Sequence, residues 1–484
     1  MSQAQGENSH ELKREVGTWG SFSMGYADVG ADIYVVLGVI ALFAGVVSPL
    51  AFAIAAITYV CTGLCYAELA TAYPVAGGGQ FYALKAFGRI HGFTAGWGLM
   101  LDYTIDIALF SLATVGYLNI ITKDVTGSIV VGLSPYYGLT AIALILLLLA
   151  LNLIGIRYSS RFNELIVAVD LVTISVFLVF GLPSIISSGA LYSWFGNVLQ
   201  AFQQGVFGQG GYSSFVYAVS LATASFIGIE SISQAAEETK RATSVIPRAT
   251  KAAIVSVVVV ALTLSLLSVT IVPFQVVSSE TNIQAPAIPL AANLPVIGPA
   301  FAVWIALMGT LVCYISTNTG VVGVSRVMFS MGRLGLLPKG LAKVSSRFRT
   351  PYVTITLSSS IACALLAVNL ALPGGELIGL ITSIYNFGAL VAYMYVNAAA
   401  VALRFKDPDR KGWMMPLNFG VTRNGQRYRV SLVPIIGLAS AAVVWIVLVG
   451  LHPVGRIVGT AWFVVGIAGY LIYQKYGGAR KKDA

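Results

Sequence analysis

The sequence predicts an all-α membrane protein with about twelve transmembrane helices. Three observations predict it: the scarcity of charge, the long apolar runs, and the placement of the basic residues. Of 484 residues, 57% are hydrophobic and only 10% are charged, against roughly 25% charged in a soluble domain. So few charges cannot cover a water-facing surface at this length, and a mean hydropathy of +0.83 agrees. Lipid is therefore expected to cover most of the exterior.

A helix needs about 20 apolar residues to cross the hydrocarbon core. Twelve such runs occur, at 19–43, 49–72, 91–121, 137–156, 162–185, 213–236, 250–274, 297–328, 352–372, 376–403, 431–451 and 456–474. They are numbered below as spans 1 to 12. Only helices or closed barrels satisfy their backbone in lipid. Continuous runs, rather than ten-residue alternation, select helices. The first eighteen residues are polar, with Glu7, Glu11, Lys13, Arg14 and Glu15, and lack the apolar core of a cleavable signal. Span 1 is expected to act as its own insertion signal.

Charge supports this count. With the N-terminus in the cytoplasm, 27 of the 29 Lys and Arg residues fall on the cytoplasmic side, and only Lys123 and Arg456 fall outside. Basic residues stay cytoplasmic on insertion, and one miscounted span would scramble the pattern. The net charge of +10 is thus used for topology and anionic lipid, with no reason to invoke nucleic acid. The expected organisation is a cytoplasmic segment 1–18, a ten-helix core 19–405, a loop and two further helices over 406–474, and a basic cytoplasmic tail 475–484. The setting is the plasma membrane, with both termini cytoplasmic.

The apolar pattern breaks at acids. Asp28 and Asp32 lie in span 1, Glu68 near the end of span 2, Asp102 and Asp106 in span 3, Asp170 in span 5 and Glu230 in span 6. Each costs about 2.5–3.5 kcal/mol on insertion scales and usually marks function. These five spans have no interior Lys, Arg or His to neutralise them. Glu68 and Asp170 read at least as readily as structural acids, protonated or bonded to a helix end, as functional ones. The other five read as a negative cavity that selects protons, alkali ions or an organic ammonium group.

Two spans also look interrupted. Gly20, Gly25 and Gly30 surround the aspartates of span 1, and Gly228 precedes Glu230 in span 6. Glycine costs a helix about 1 kcal/mol relative to alanine. Interruptions at matching places in two halves point to a transporter site at the midplane. Spans 1 and 6 would each open a five-helix half, over 19–185 and 213–405.

Three stretches carry a family resemblance. The first runs from Tyr66-Ala67-Glu68 to Pro74 and Gly77-Gly78-Gly79-Gln80. The second runs from Gly228-Ile229-Glu230 through Glu237-Glu238 to Ile246-Pro247-Arg248. The third runs from Ser325-Arg326 through Arg333 and Gly335 to Pro338, then Arg349-Thr350-Pro351. In that order they resemble the amino acid–polyamine–organocation (APC) superfamily of secondary transporters. The resemblance implies a LeuT-type fold, with a 5+5 inverted repeat and two extra C-terminal helices. It implies alternating access, and symport usually coupled to protons and less often to sodium. It places amino acid or amine substrate at the breaks of spans 1 and 6. On this chain those positions are Tyr26, Ala27, Asp28, Gly30, Asp32 and Tyr34, with Phe226, Gly228, Glu230 and Ser231, and Asp102 joins them from span 3.

Two departures from the family pattern matter. Span 1 carries aspartates where bare amides usually hold a substrate carboxylate, and Asp170 stands where many proton-coupled relatives carry a lysine. Both point to cationic cargo. Asp28 with Tyr34, and Asp102 with Tyr103, are also similar to potassium uptake permeases of the same superfamily, so uptake of potassium or another inorganic cation is the alternative. The expected proton or ion coupling residues are Asp106 and Asp170, with Ser316 and Thr317 of span 8. Ser316, Thr317 and Asn318 read equally as interhelical hydrogen-bonding groups.

Other classes fare worse. His10, His91 and His452 lie at or outside span ends, and Cys61 and Cys65, one turn apart, read as packing rather than a metal pair. Asp102 and Asp106 share one helix, whereas an aspartyl dyad needs carboxyls converging from separate segments. An enzyme, a cofactor and a resident metal are not expected.

Overall fold

The computed structural model describes residues 14–126, 136–279, 282–283, 285–371 and 377–479. Most of the predicted N-terminal segment, including His10, lies outside the described residues. So do Arg480, Lys481 and Lys482 of the basic tail and the side chain of Arg157.

Ten stretches of described helix are long and apolar enough to cross a membrane. One of them, Thr18–Ala72, has 55 residues and would be roughly 80 Å long if straight, more than twice the hydrocarbon thickness. It is two spans, because Gly45 at φ +58 turns the chain between them. A shorter apolar helix, Tyr352–Ala367, brings the spans to twelve, as the apolar runs predict. The observed helices are Thr18–Ala44, Ser48–Ala72, Arg89–Thr126, Tyr136–Ile154, Ile156–Val176, Tyr212–Ala222 with Glu230–Gln234, Ala242–Thr270, Gly298–Arg333, Tyr352–Ala371, Leu377–Lys406, Val433–Leu451 and Pro453–Ala479. Span 5 continues through a π turn at Phe177–Gly181 into Leu182–Ser187.

Spans 3 and 8 form the most extensive contact among the described residues, span 2 packs closely on span 7, and spans 7 and 8 pack on span 1. Span 1 is therefore enclosed, and nearly every residue from Gly20 to Ile40 is buried. Spans 4, 5, 11 and 12 are peripheral. They turn Leu146, Leu147, Leu165, Val172, Ile446, Val464 and Val465 outward, as a lipid-facing belt requires. The 406–432 segment contains a two-stranded hairpin, Asn418–Arg423 paired with Gln426–Ser431.

Span 1 departs from expectation. It is one continuous helix from Thr18 to Ala44, so its glycines do not interrupt it. They permit close packing instead. A Cβ at Gly25 would lie 2.6 Å from the tip of Ile232 in span 6, and one at Gly20 would lie 2.7 Å from Glu164 in span 5. Glycine is frequent in membrane helices for this reason.

Candidate functional site

Span 6 does break. Its helix ends at Ala222, passes through a 3-10 turn at Ala224–Phe226 and extended backbone at Ile227, and resumes at Glu230. Gly228 sits at φ +125, a region that favours glycine. A Cβ there would also lie 2.5 Å from Oδ2 of Asp28. The absent side chain lets the Asp28 carboxyl lie directly on the broken backbone.

Glu230 folds back over this break. Its Oε2 accepts from the Gly228 amide at 3.1 Å and from the Tyr393 hydroxyl at 2.7 Å. The Ser231 hydroxyl donates to the Gly228 carbonyl at 2.7 Å. Phe226 packs against Tyr59, with ring centroids 5.3 Å apart. The Ser316 hydroxyl of span 8 reaches Oδ1 of Asp28 at 3.4 Å. Asp106 lies against Gly320 of span 8.

Five carboxyls converge here from three spans. Asp28, Asp32, Asp102, Asp106 and Glu230 are each at most 1% exposed. Asp28 lies within electrostatic reach of Asp106 and Glu230, and Asp102 within reach of Glu230, Asp28 and Asp32. Oδ2 of Asp28, Oε1 of Glu230 and both oxygens of Asp32, Asp102 and Asp106 have no hydrogen-bond partner among the described residues. Buried polar groups are nearly always paired, so each exception needs a reason. Leaving one unpaired costs about 1–3 kcal/mol, and more when charged. Such a set offers acceptors to any group that supplies hydrogen-bond donors or positive charge.

The other predicted residues separate from this cluster. Both oxygens of Asp170 are occupied, by the Tyr26 hydroxyl at 2.8 Å and the Tyr34 hydroxyl at 2.7 Å. Tyr117 in turn donates to the Tyr34 carbonyl at 2.6 Å. Asp170 thus clamps two turns of span 1 to span 5. Ala27 and Gly30 are buried within the unbroken helix, and the Tyr26 ring lies over Gly30 at 3.1 Å from where a Cβ would sit. Thr317 bonds back to the Cys313 carbonyl of its own helix at 3.1 Å. Asn318 is held between spans 4 and 5, accepting from Asn152 at 2.7 Å and donating to Ser159 and Asn163 at 2.8 Å each. Of the span 8 polar run, Ser316 is the residue that hydrogen-bonds a carboxyl of the cluster among the described contacts.

Glu68 has bases after all. Arg404 donates to its two oxygens at 2.9 and 2.5 Å, Arg410 donates to one of them, and the Met415 amide reaches it at 2.8 Å. These partners stand more than 330 residues away in sequence, so no local spacing signals them. Tyr393, which holds Glu230, is likewise invisible to local pattern.

The three motif stretches meet in space. Glu238 is bridged by Arg326, with two contacts at 3.1 Å. Glu237 is bridged by Arg333 at 2.9 and 2.5 Å and accepts from the Ala76 amide at 3.1 Å. The Gly77 amide donates to the Gln234 carbonyl at 3.2 Å. Val16 pairs with Thr239 as a short parallel bridge. One end of the bundle is thereby tied together directly beyond the span 6 break.

Comparison with known proteins agrees with this architecture. The model of the amino acid permease family matches residues 16–473. The chain is 25% identical to the branched-chain amino acid permease BcaP of Bacillus subtilis (strain 168), over 98% of this chain and 96% of that protein. It is 29% identical to the low-affinity putrescine importer PlaP of Escherichia coli (strain K12), over 87% and 84% respectively. It is 25% identical to the vacuolar cationic amino acid transporter 4 of Arabidopsis thaliana, over 83% of this chain and 65% of that protein. The LeuT-type helical architecture and the absence of an enzyme's role follow from the family, and this integral membrane protein belongs to the amino acid permeases of the APC superfamily.

Proposed function

We propose that this permease carries amino acids or amines, favours a cationic group, and couples transport to protons. One observation carries the reading: five buried, largely unpartnered carboxyls gathered at the span 6 break. An ammonium has three donors and no acceptor, so it matches a site that offers only acceptors. The names of PlaP and the Arabidopsis transporter, which concern putrescine and cationic amino acids, favour the same chemistry.

Asp28, Asp32 and Asp102 hold the ammonium, and Glu230 lines the break. Tyr26, Ala27, Gly30 and Tyr34 form the wall of span 1, with Phe226, Gly228 and Ser231 opposite. Asp106 is the coupling carboxyl, because it is unpartnered whereas Asp170 is fully engaged. Ser316 positions Asp28. Spans 1 and 6 rock against the rest, a reading supported by the close packing of span 3 on span 8, which supplies a frame beside them. The protein works in the plasma membrane with both termini cytoplasmic, on the distribution of basic residues.

The test is a thermal-stability screen of the purified protein with amino acids, polyamines and alkali cations, since a ligand of the folded state raises the melting point. Stabilisation by an amine or amino acid supports the reading. Stabilisation by potassium alone, lost in Asp28→Asn, overturns it.

A further inference from the structure

A second group of buried polar side chains lies beyond Glu230, toward the end tied by Glu237 and Glu238, and it carries no formal charge. Gln234 stands one turn past Glu230 on the same short helix. Gln80 and Tyr82 belong to the helix Gly79–Phe87. Tyr66 of span 2 faces Tyr82, with ring centroids 6.3 Å apart. All four residues are at most 1% exposed. Both side-chain polar atoms of Gln80 and Gln234, and the hydroxyls of Tyr66 and Tyr82, have no hydrogen-bond partner among the described residues.

The group is continuous with the carboxyl cluster. Tyr66 lies 6.1 Å from Tyr393, ring to ring, and Tyr393 donates to Glu230. Glycines leave room for it. A Cβ at Gly79 would lie 2.9 Å from the Tyr66 hydroxyl, one at Gly323 would lie 2.9 Å from Oε1 of Gln234, and one at Gly77 would collide with the Gln80 amide.

We infer that Gln80, Gln234, Tyr66 and Tyr82 form an uncharged release station, which takes the substrate's ammonium group after it leaves the carboxyls. This rests on the amine-or-amino-acid reading above and deepens it. Two amide oxygens and two phenolic oxygens supply acceptors for three ammonium hydrogens. Without a negative charge they hold a cation less tightly than the carboxyl cluster does. A carrier must bind strongly enough to select and weakly enough to let go. A neutral set beyond a charged one supplies the second condition, whereas further carboxyls would trap the cation.

The experiment uses the full chain in proteoliposomes, with putrescine, L-lysine and L-leucine as probes in counterflow. If none of the three exchanges through the wild type, the amine-or-amino-acid reading itself fails. With an exchanging probe, binding to detergent-solubilised protein and exchange rate are compared in Gln80→Leu, Gln234→Leu and the conservative Gln234→Asn. The expected result is unchanged binding with exchange slowed about tenfold in each Leu variant, the effect of one lost hydrogen bond. Gln234→Asn keeps the chemical group and recovers part of the rate. Exchange at the wild-type rate in both Leu variants overturns the inference. So does parallel loss of binding and exchange in variants that melt like the wild type, because that would place the glutamines in the primary site.

Discussion

Arg326 and Glu238 form a two-pronged ion pair at 3.1 Å, with side chains 1% and 2% exposed. The pair joins span 8 to the segment just beyond the span 6 break. Removing one partner of a buried pair leaves an uncompensated charge, at about 3–5 kcal/mol. Arg326→Gln is therefore expected to lower the melting temperature sharply. Glu238→Gln combined with Arg326→Gln is expected to recover much of the loss, because no naked charge remains. A double-mutant cycle read by thermal unfolding checks this. Additive losses would show that the two residues act independently.

Gly228 combines a backbone angle that L side chains rarely adopt with the carboxyl of Asp28 lying where a Cβ would go. Gly228→Ala is expected to abolish transport. Strain of this kind costs about 1–3 kcal/mol, so the variant should remain foldable at reduced melting temperature. Gly30→Ala, in an unbroken helix, meets only the edge of the Tyr26 ring at 3.1 Å and should be tolerated far better. Equal loss of transport in both variants would contradict the difference between a broken span 6 and a continuous span 1.

That difference shows what was legible in the sequence. Twelve apolar runs identify twelve helices, since the bilayer imposes a length and a composition on each. The interruption at Gly228 is also legible, because a glycine beside an acid and small hydroxyl residues does mark a break there. The same pattern misleads at Gly20, Gly25 and Gly30. Glycine for close packing and glycine for chain reversal look alike until the opposing side chain, here Ile232 or Glu164, is known. The acids of the cluster stand out because a membrane span tolerates so few. Their partners do not. Arg404 and Arg410 at Glu68, the two tyrosines at Asp170 and Tyr393 at Glu230 arrive by tertiary folding, and no local spacing announces them.

His452 lies in the turn between spans 11 and 12, outside the spanning segments, stacked on Tyr217 at 4.2 Å. Burial pushes its pKa down to about 4, against about 6.5 when unfolded. Between these values the unfolded chain binds a proton that the folded chain does not. Stability is thus fully present above pH 6.5 and falls as the pH drops toward 4, by at most about 1.4 kcal/mol per unit. His452→Phe removes the titrating group. Melting temperatures from pH 7 to pH 4.5 should fall less steeply for the variant than for the wild type. Parallel curves would show that His452 does not titrate in this way.

Asp106 and Asp170 are both buried acids, but only Asp106 has two unpartnered oxygens. Asp170 accepts from Tyr26 and Tyr34, and hydrogen bonds to a charged group contribute about 1.5–3 kcal/mol each. Asp170→Asn should therefore lower stability while transport keeps its dependence on external pH. Asp106→Asn should leave the fold intact, because it removes charge from a crowded acidic site. It should also abolish the acceleration of uptake at low external pH, since no carboxyl remains there to carry the proton. Uptake into proteoliposomes under an imposed pH gradient, with melting temperatures of the same preparations, separates the two roles. If Asp106→Asn kept a wild-type pH profile and Asp170→Asn lost it, the coupling carboxyl would be Asp170, and the two tyrosines would be its proton-gating ligands rather than a structural clamp.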